Sequence, residues 1–551
     1  MINEKYQPNF KSEEWSDRDR YYLAPFATNL DGVVSGLRNL PPELAGALCS
    51  RASRASDSLL RVLLKEYIYP VLDGEDADLA RELNDTVKFF HEHGLKSVLN
   101  NKKAQQFYAK WLAAYGDDSI AQMAGSYLTA WGISQVAMKF VEDFRIGLAP
   151  IEKSTRYVDF SKKVDGKYLY YRDPDIIDAG LGEEYTSVMD FLFETNADLI
   201  ARLKVWLKEK FPEEKDSVIE KKAFDTARGL LPMSTLGQVA FFGNGQAFEY
   251  MVSNVLQQKL GELRWFGEAA KKELSQEIGS LLLRLDDEKS KTYQQYLAGK
   301  HDRVKEEARE FKTKPSNTQV NLIGYSPEGE AAIVAGILFP SSKSSWMDLF
   351  EGARKMGDDE KRRIIGKYLE GRNERWQKVG RAFENAYLRF EITTNAGAYR
   401  DVHRHRMHTQ ERQLFTVVHG YDVPPEIEEA GLAGVVHQAM AKVEGLYGKI
   451  ASRLGEEHAQ YATTLFHRIR FYQYQNVRQA FWEIELRTGP QGHPDYRHIE
   501  QEKFKLIEKA YPIIASFIKA DMNEYDFARR GVEEKIQKKE EKLKERFLSN
   551  I

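Results

Sequence analysis

Residues 301–316, HDRVKEEAREFKTKPS, constrain the chain most, because a run so charged, ending in Lys-Pro-Ser, cannot build a core and reads as a boundary. The length of 551 residues agrees, since a single hydrophobic core stops growing well below that size. An apolar fraction of 42% and an aromatic fraction of 12% supply enough side chains for two or three cores. The expected parts are an extension over 1–36, a first domain over 37–300, a linker over 301–317, a second domain over 318–525 and a charged C-terminal helix over 526–551.

Periodicity fills in these parts. Pro41, Pro42 and Glu43 open a helix, and Leu59, Leu60, Leu63 and Leu64 continue at helical spacing. Further helices are expected from about Ala104, over Glu184 to Glu209, and between 250 and 300. After the boundary, Val320, Leu322 and Ile323 alternate with polar residues, a turn follows at Tyr325-Ser326-Pro327-Glu328-Gly329-Glu330, and Ala331 to Phe339 is apolar. A strand leading into a helix is the natural reading. The run RIRFYQYQNVRQAFWEIELR, 468–487, reads as an aromatic helix with Arg478 and Trp482 on one face. The last stretch, VEEKIQKKEEKLKERF, has the charge pattern of a solvated helix.

Composition excludes several classes. With 80 basic and 83 acidic residues the net charge is -3, so no nucleic-acid surface follows from global charge. One cysteine, Cys49, permits neither an intrachain disulfide nor a thiolate metal cluster and fits a reducing compartment. The opening residues lack an apolar signal region, and no run approaches the roughly 18 apolar residues of a membrane span, so a cytoplasmic protein is expected. The usual enzyme signatures fit poorly: there is no P-loop, dinucleotide fingerprint, zinc-binding HExxH or serine elbow. His493 and His498 are five apart near Asp495, but a metal site there would need an additional partner from a distance, so no metal is expected.

Two basic clusters remain. Tyr399 to Arg412 holds Arg400, Arg404, Arg406 and Arg412 with His403, His405 and His408, directly after a mostly apolar run from Tyr387 to Ala398. Guanidinium groups so anchored satisfy phosphate oxygens bidentately. Composition alone leaves open an exposed helix with ion pairs to Asp401 and Glu411. The second cluster, with Arg468, Arg470, Asn476, Arg478, Glu485 and Arg487, fits either a ligand site or snorkelling arginines at an interface. A smaller constellation, Glu152-Lys153-Ser154-Thr155-Arg156-Tyr157, puts a hydroxyl and an arginine two apart.

At these residues the sequence resembles the flavin-dependent thymidylate synthases, in two diverged tandem copies. The first copy keeps Ile133-Ser134, Ser154-Thr155-Arg156-Tyr157, Ala227-Arg228-Gly229-Leu230-Leu231-Pro232 and Glu262-Leu263-Arg264, but carries Asp143-Phe144-Arg145 in place of Arg-His-Arg, and Asn244-Gly245-Gln246 keeps the asparagine of Asn-x-Arg but not its arginine. Gly116-Asp117-Asp118-Ser119-Ile120 resembles the family's early stretch with aspartate for histidine. The second keeps Arg404-His405-Arg406, Asn476-Val477-Arg478, Arg487 and Asp495-Tyr496-Arg497, but lacks Ser-x-Arg-Tyr.

The resemblance implies an α+β fold, two thymidylate-synthase-complementing-protein-like domains, each a mixed or antiparallel sheet packed with helices. It implies reductive methylation of dUMP to dTMP using FAD, with NAD(P)H and methylenetetrahydrofolate as co-substrates. By that analogy Arg404, His405, Arg406 and Asn476 bind the cofactor, Ser154, Arg156 and Arg478 bind the nucleotide, and Arg478 is also the catalytic residue. The family's site lies where subunits of a homotetramer meet, which implies a homodimer forming a pseudo-tetramer, with Arg156 converging on Arg406 and Arg478. The missing elements admit an alternative, a catalytically weakened homologue that binds flavin or nucleotide or serves structurally.

Overall fold

The structure is a computed structural model that describes all residues except 1, 11–12, 95–100, 115–117, 156–158, 161, 312–316, 529–537, 540, 544 and 547–551. It divides into two compact units. One comprises Met1–Leu199, Leu230–Thr313 and Gly434–Thr464, the other Ile200–Gly229, Lys314–Ala433 and Leu465–Ile551.

Each unit is built on one four-stranded sheet. In the first, β1 (Val34–Leu37), β2 (Gly125–Ser134), β3 (Leu148–Glu152) and β4 (Leu236–Asn244) lie in the order β1-β2-β4-β3. In the second, β5 (Gln319–Tyr325), β6 (Tyr387–Asn395), β7 (His408–Arg412) and β8 (Arg468–Asn476) lie in the order β5-β6-β8-β7. Every pairing is antiparallel. The shared order shows the two tandem α+β copies, each an antiparallel sheet packed with helices.

Register aligns the copies residue by residue. Asn244 faces Gly125 and Asn476 faces Tyr387, while Leu148 faces Gly243 and His408 faces Gln475. A bulge between Trp131 and Ile133 gives β2 one residue more than β6; Gly132, at φ 90°, takes the left-handed conformation there.

All four central strands end in a polar residue that caps the next helix. Ser134 Oγ accepts from Ala137 N to start α1 (Gln135–Glu142), and Asn244 Oδ1 from Ala247 N to start α2 (Gly245–Val255). The long helix α3 (Gly261–Ile278) follows. Asn395 likewise caps α4 (Ala396–Val402) through Ala398 N, and Asn476 caps α5 (Val477–Arg487) through Gln479 N, before α6 (Pro494–Ala510). Such a cap contributes about 1 kcal/mol and fixes where each strand turns into its helix.

The turn at Ser326 and the helix Gly329–Leu338 follow β5 as expected, and the helix Gly182–Lys210 covers Glu184 to Glu209. One expectation is corrected. The run 468–487 is not helical throughout: Arg468–Asn476 is the strand β8, and only Val477–Arg487 is helix. Its residues alternate between buried and half-buried, the period of a strand, with Gln473 and Gln475 on the inner face. The C-terminal charged helix falls mostly outside the described residues.

α3 packs across β1 and β2. A second apolar layer also belongs to the first sheet: Leu48, Leu63, Leu64 and Ile68 cluster with Leu37 and Ala240, flanked by Tyr127 and Ile151. In the second unit α6 packs on β5 and α5, while Tyr325, Tyr387 and Ile323 stay exposed. Cys49 is buried, which pushes its thiol up to about 12 and leaves it protonated. Among the described residues no helix is long and apolar enough to cross a membrane.

Candidate functional site

Two turns of the second unit meet at one cavity of about 520 Å³. The α4 helix ends at Val402, and the chain then reverses through Arg404, His405, Arg406 and Met407 before β7 begins at His408. From the neighbouring strand, the Asn476 cap starts α5 and places Arg478, Gln479 and Trp482 on its first turns. Arg404, His405, Arg406, Asn476 and Arg478, separated by some seventy residues of sequence, all line the cavity.

Their environments differ. His405 is only 6% exposed, and its ring is held from both sides. Arg487 Nε donates to His405 Nε2 at 3.0 Å, and the Gln479 amide lies 3.1 Å from Nδ1. Burial, opposed by Glu483 and reinforced by Arg487, pulls His405 down to about 3. It is therefore a neutral ring that props the turn rather than a proton donor near neutral pH. Arg404 is exposed, with Asp401 Oδ1 3.9 Å away, and Arg406 is exposed with no carboxylate partner among the described residues. Arg478 donates to Glu384 Oε1 at 2.5 Å, and Arg381 donates to Glu384 Oε2 at 3.1 Å. Burial raises the Glu384 carboxyl, but those two arginines outweigh it and hold the group below its ordinary value.

Sequence reasoning missed the cavity's third wall. Arg372, Arg375, Lys378 and Glu384 line it as well, so six cations face one carboxylate among the lining residues. The signal was present in Arg372-Asn373-Glu374-Arg375-Trp376-Gln377-Lys378, cations around an aromatic between two glycines. Such a surface takes anions, and planar guanidinium forks suit phosphate oxygens.

A charged core sits behind α5. Lys503, with no exposed side-chain surface, lies 3.1 Å from Glu483 and 3.2 Å from Glu500, and donates to Gln473 Oε1 at 3.0 Å. Burial and the nearby Glu483 push Glu500 up, so Glu483 and Lys503 form the ionised pair. The matching places in the first unit, by register and helix alignment, are Phe241, Met251, Gly267 and Ala270.

The first unit treats its equivalent turn otherwise. Asp143-Phe144-Arg145 occupies the place of Arg-His-Arg, and Arg145 is buried. Lys139, also buried, pairs with Glu152 at 2.9 Å and with Glu142. Ser154 follows β3, its backbone N donating to Ser53 O at 3.0 Å; Arg156 and Tyr157 lie outside the described residues, as do Gly116 and Asp117.

One relationship is common to both units. Glu262, at the start of α3, accepts from Ser134 N at 2.7 Å, from Ser134 Oγ at 2.6 Å and from Tyr461 Oη at 2.9 Å. Asp495, at the start of α6, accepts from Asn395 Nδ2 at 2.8 Å. The acid-apolar-arginine elements of the sequence thus tie the long helix to the cap of the first strand–helix turn. Asp173, Asp175 and His458 also cluster, but His458 is already bonded to Asp173 at 2.8 Å, and Asp175 receives Tyr6 and Lys5.

The model of the thymidylate synthase complementing protein family matches residues 77–278 and 321–513. The UPF0159 protein of Chlamydia muridarum is 35% identical over 94% of this chain and 98% of its own. That of Thermoplasma acidophilum is 29% identical over 89% of this chain and 97% of its own. A solved UMP/dUMP methylase from Streptomyces cacaoi, bound with 5-Br UMP, overlaps 36% of this chain and 93% of its own at 16% identity and a TM-score of 0.29. Matched in both halves, and carrying the same sheet twice, the chain belongs to the thymidylate synthase complementing protein family as a tandem pair of its domains.

Proposed function

We propose that the chain is a flavin-dependent enzyme that reductively methylates dUMP to dTMP, working from the cavity of the second unit. The observation that supports this most is the meeting of Arg404 and Arg406 with Asn476 and Arg478 around one cationic cavity in a member of this family. A phosphate-bearing cofactor fits the residues present: guanidinium groups on two sides, a tryptophan face at Trp482 and a single lining carboxylate. Arg404 and Arg406 are the residues to hold the phosphates of FAD, with Asn476 and the His405-supported turn fixing their position. Flavin, when bound, supplies transfer of hydride from NAD(P)H, while methylenetetrahydrofolate supplies the one-carbon unit.

Arg478 is assigned to the nucleotide, where it leaves Glu384 for the anionic ligand and stabilises negative charge developing on the pyrimidine. Ser154 and Arg156 are assigned to the nucleotide phosphate. His405 stays neutral, so proton movement falls to other groups. The protein's share of the work is to bind, orient and exclude water.

A second reading, a homologue that binds without turning over, is favoured by Asp143 and Phe144 in place of the first copy's Arg-His-Arg. The test is direct. Purified full-length chain, reconstituted with FAD, is expected to show an oxidised-flavin band and to form dTMP from dUMP in a nicotinamide-dependent way. Flavin binding without product selects the second reading, and no flavin binding at all removes the first.

A further inference from the structure

The stretch from Gly371 to Gly380 brings the cavity cations that neither basic turn provides. It is braced from within: Gln377 Oε1 accepts from the backbone N of Asn373 and of Glu374, both at 2.6 Å, and Gln377 Nε2 donates to Gly371 O at 3.0 Å. Arg372 donates to Gln377 O at 2.7 Å and grips the buried Glu485 carboxylate with two bonds, at 3.0 and 2.6 Å. From outside, Lys519 Nζ donates to the carbonyls of Arg372 and Asn373 at 3.1 and 2.7 Å. Gly371 and Gly380, at φ 80° and 83°, let the chain enter and leave this brace in the left-handed region.

The brace serves to present two side chains. Arg375 and Lys378 stand over the Trp482 ring, 5.1 and 2.9 Å from its centroid. No carboxylate pairs with either among the described residues, whereas Arg372 and Arg478 are matched by Glu485 and Glu384. Burial, then the like charges of Arg375, Arg478 and Arg372, lower Lys378 from its ordinary value, and a bound anion relieves that repulsion.

Resting on the reading of this cavity as a nucleotide-cofactor site, we propose that Arg375 and Lys378 form a diphosphate subsite. They set the preference for ligands with two linked phosphates over ligands with one. Two phosphorus centres offer separate oxygens to Arg406 on the basic turn and to this pair on the brace, whereas one phosphate is satisfied by a single guanidinium fork. Because the brace is held by Gln377, Arg372 and Lys519, the cations are positioned before the ligand arrives.

The test compares FAD with FMN, and pyrophosphate with orthophosphate, by titration calorimetry on the full chain. The wild-type chain is expected to prefer the diphosphate member of each pair. Arg375→Ala with Lys378→Ala is expected to weaken FAD and pyrophosphate by about tenfold, the loss of one charged hydrogen bond, and to leave FMN and orthophosphate within about threefold. Lys378→Arg is expected to keep the preference, and an unchanged melting temperature checks the fold of each variant. A double variant that keeps the preference, or loses both members equally, overturns the proposal. So does a wild-type chain that binds pyrophosphate no better than orthophosphate. If neither flavin binds while pyrophosphate is still preferred, the flavin reading fails and the subsite stands.

Discussion

Arg478 donates to Glu384 across 2.5 Å, so the arginine that the Asn476 turn delivers to the cavity arrives already paired. An anionic ligand must displace that carboxylate before it gains the guanidinium. Glu384→Gln is therefore expected to tighten dUMP binding by about threefold, and Arg478→Ala to weaken it by about tenfold or more. Calorimetric titration of dUMP into both variants checks this. Equal weakening in the two would show that Glu384 orients the arginine instead of competing for it.

His405 should remain neutral well below the ordinary titration of histidine. Its folded value of about 3 lies under the ordinary histidine value of 6.5, so its contribution to stability is present above pH 6.5 and is lost as pH falls towards 3. The ring nitrogen shifts of His405, followed by NMR, are expected to show no protonation between pH 7 and about 5. A titration near 6.5 would contradict the two-sided hold by Arg487 and Gln479.

Glu262 has the opposite sign. Burial, partly offset by Ser134 and Tyr461, raises its carboxyl from 4.5 to about 7, so the folded chain holds this proton more tightly than the unfolded one. The stabilisation is complete below pH 4.5 and is lost as pH rises to about 7, a change of roughly 3 kcal/mol at most. Glu262→Gln keeps hydrogen bonding to Ser134 and is expected to flatten that part of the stability profile in denaturant titrations from pH 5 to 8. An unaltered slope would sink the assignment.

Lys503 is the most exacting position in the second core. Lys503→Met leaves the Glu483 charge buried and alone, which is expected to cost about 3 to 5 kcal/mol in urea unfolding. Replacing Glu483, Glu500 and Lys503 together by apolar residues, as the first unit does with Met251, Gly267 and Ala270, is expected to recover most of that loss. A triple variant no more stable than Lys503→Met would mean that the network holds the fold by more than charge balance.

The fold was legible where local chemistry writes itself into sequence. Ser326-Pro327-Glu328-Gly329 marked the turn between β5 and its helix, and Asn244 and Asn476 were visible as elements of a family pattern whose structural role is capping. β8 was misread because its polarity is inverted: Gln473 and Gln475 face the core, while Tyr472 and Tyr474 lie half-buried on the other face. Hydrophobic alternation is thereby masked, although burial alternates regularly. Of the cavity, Arg404, Arg406 and Arg478 could be read from motifs. Arg375 and Lys378 could not, since they lie in a loop without periodicity that Gln377 braces from within and tertiary bonds with Glu485 and Lys519 hold at the site.

The strand, cap and helix that recur twice in each unit make the connection from Ser134 to Leu148, and that from Asn395 to His408, interchangeable cassettes. Each begins at a fixed side-chain cap and ends in a strand whose register its own sheet dictates. Selection could therefore rewrite one cassette, Asp143-Phe144-Arg145, while the other kept Arg404-His405-Arg406, because a side-chain cap fixes where each begins and a strand register fixes where each ends. A duplicated gene with such sockets can specialise one half without renegotiating the architecture of either.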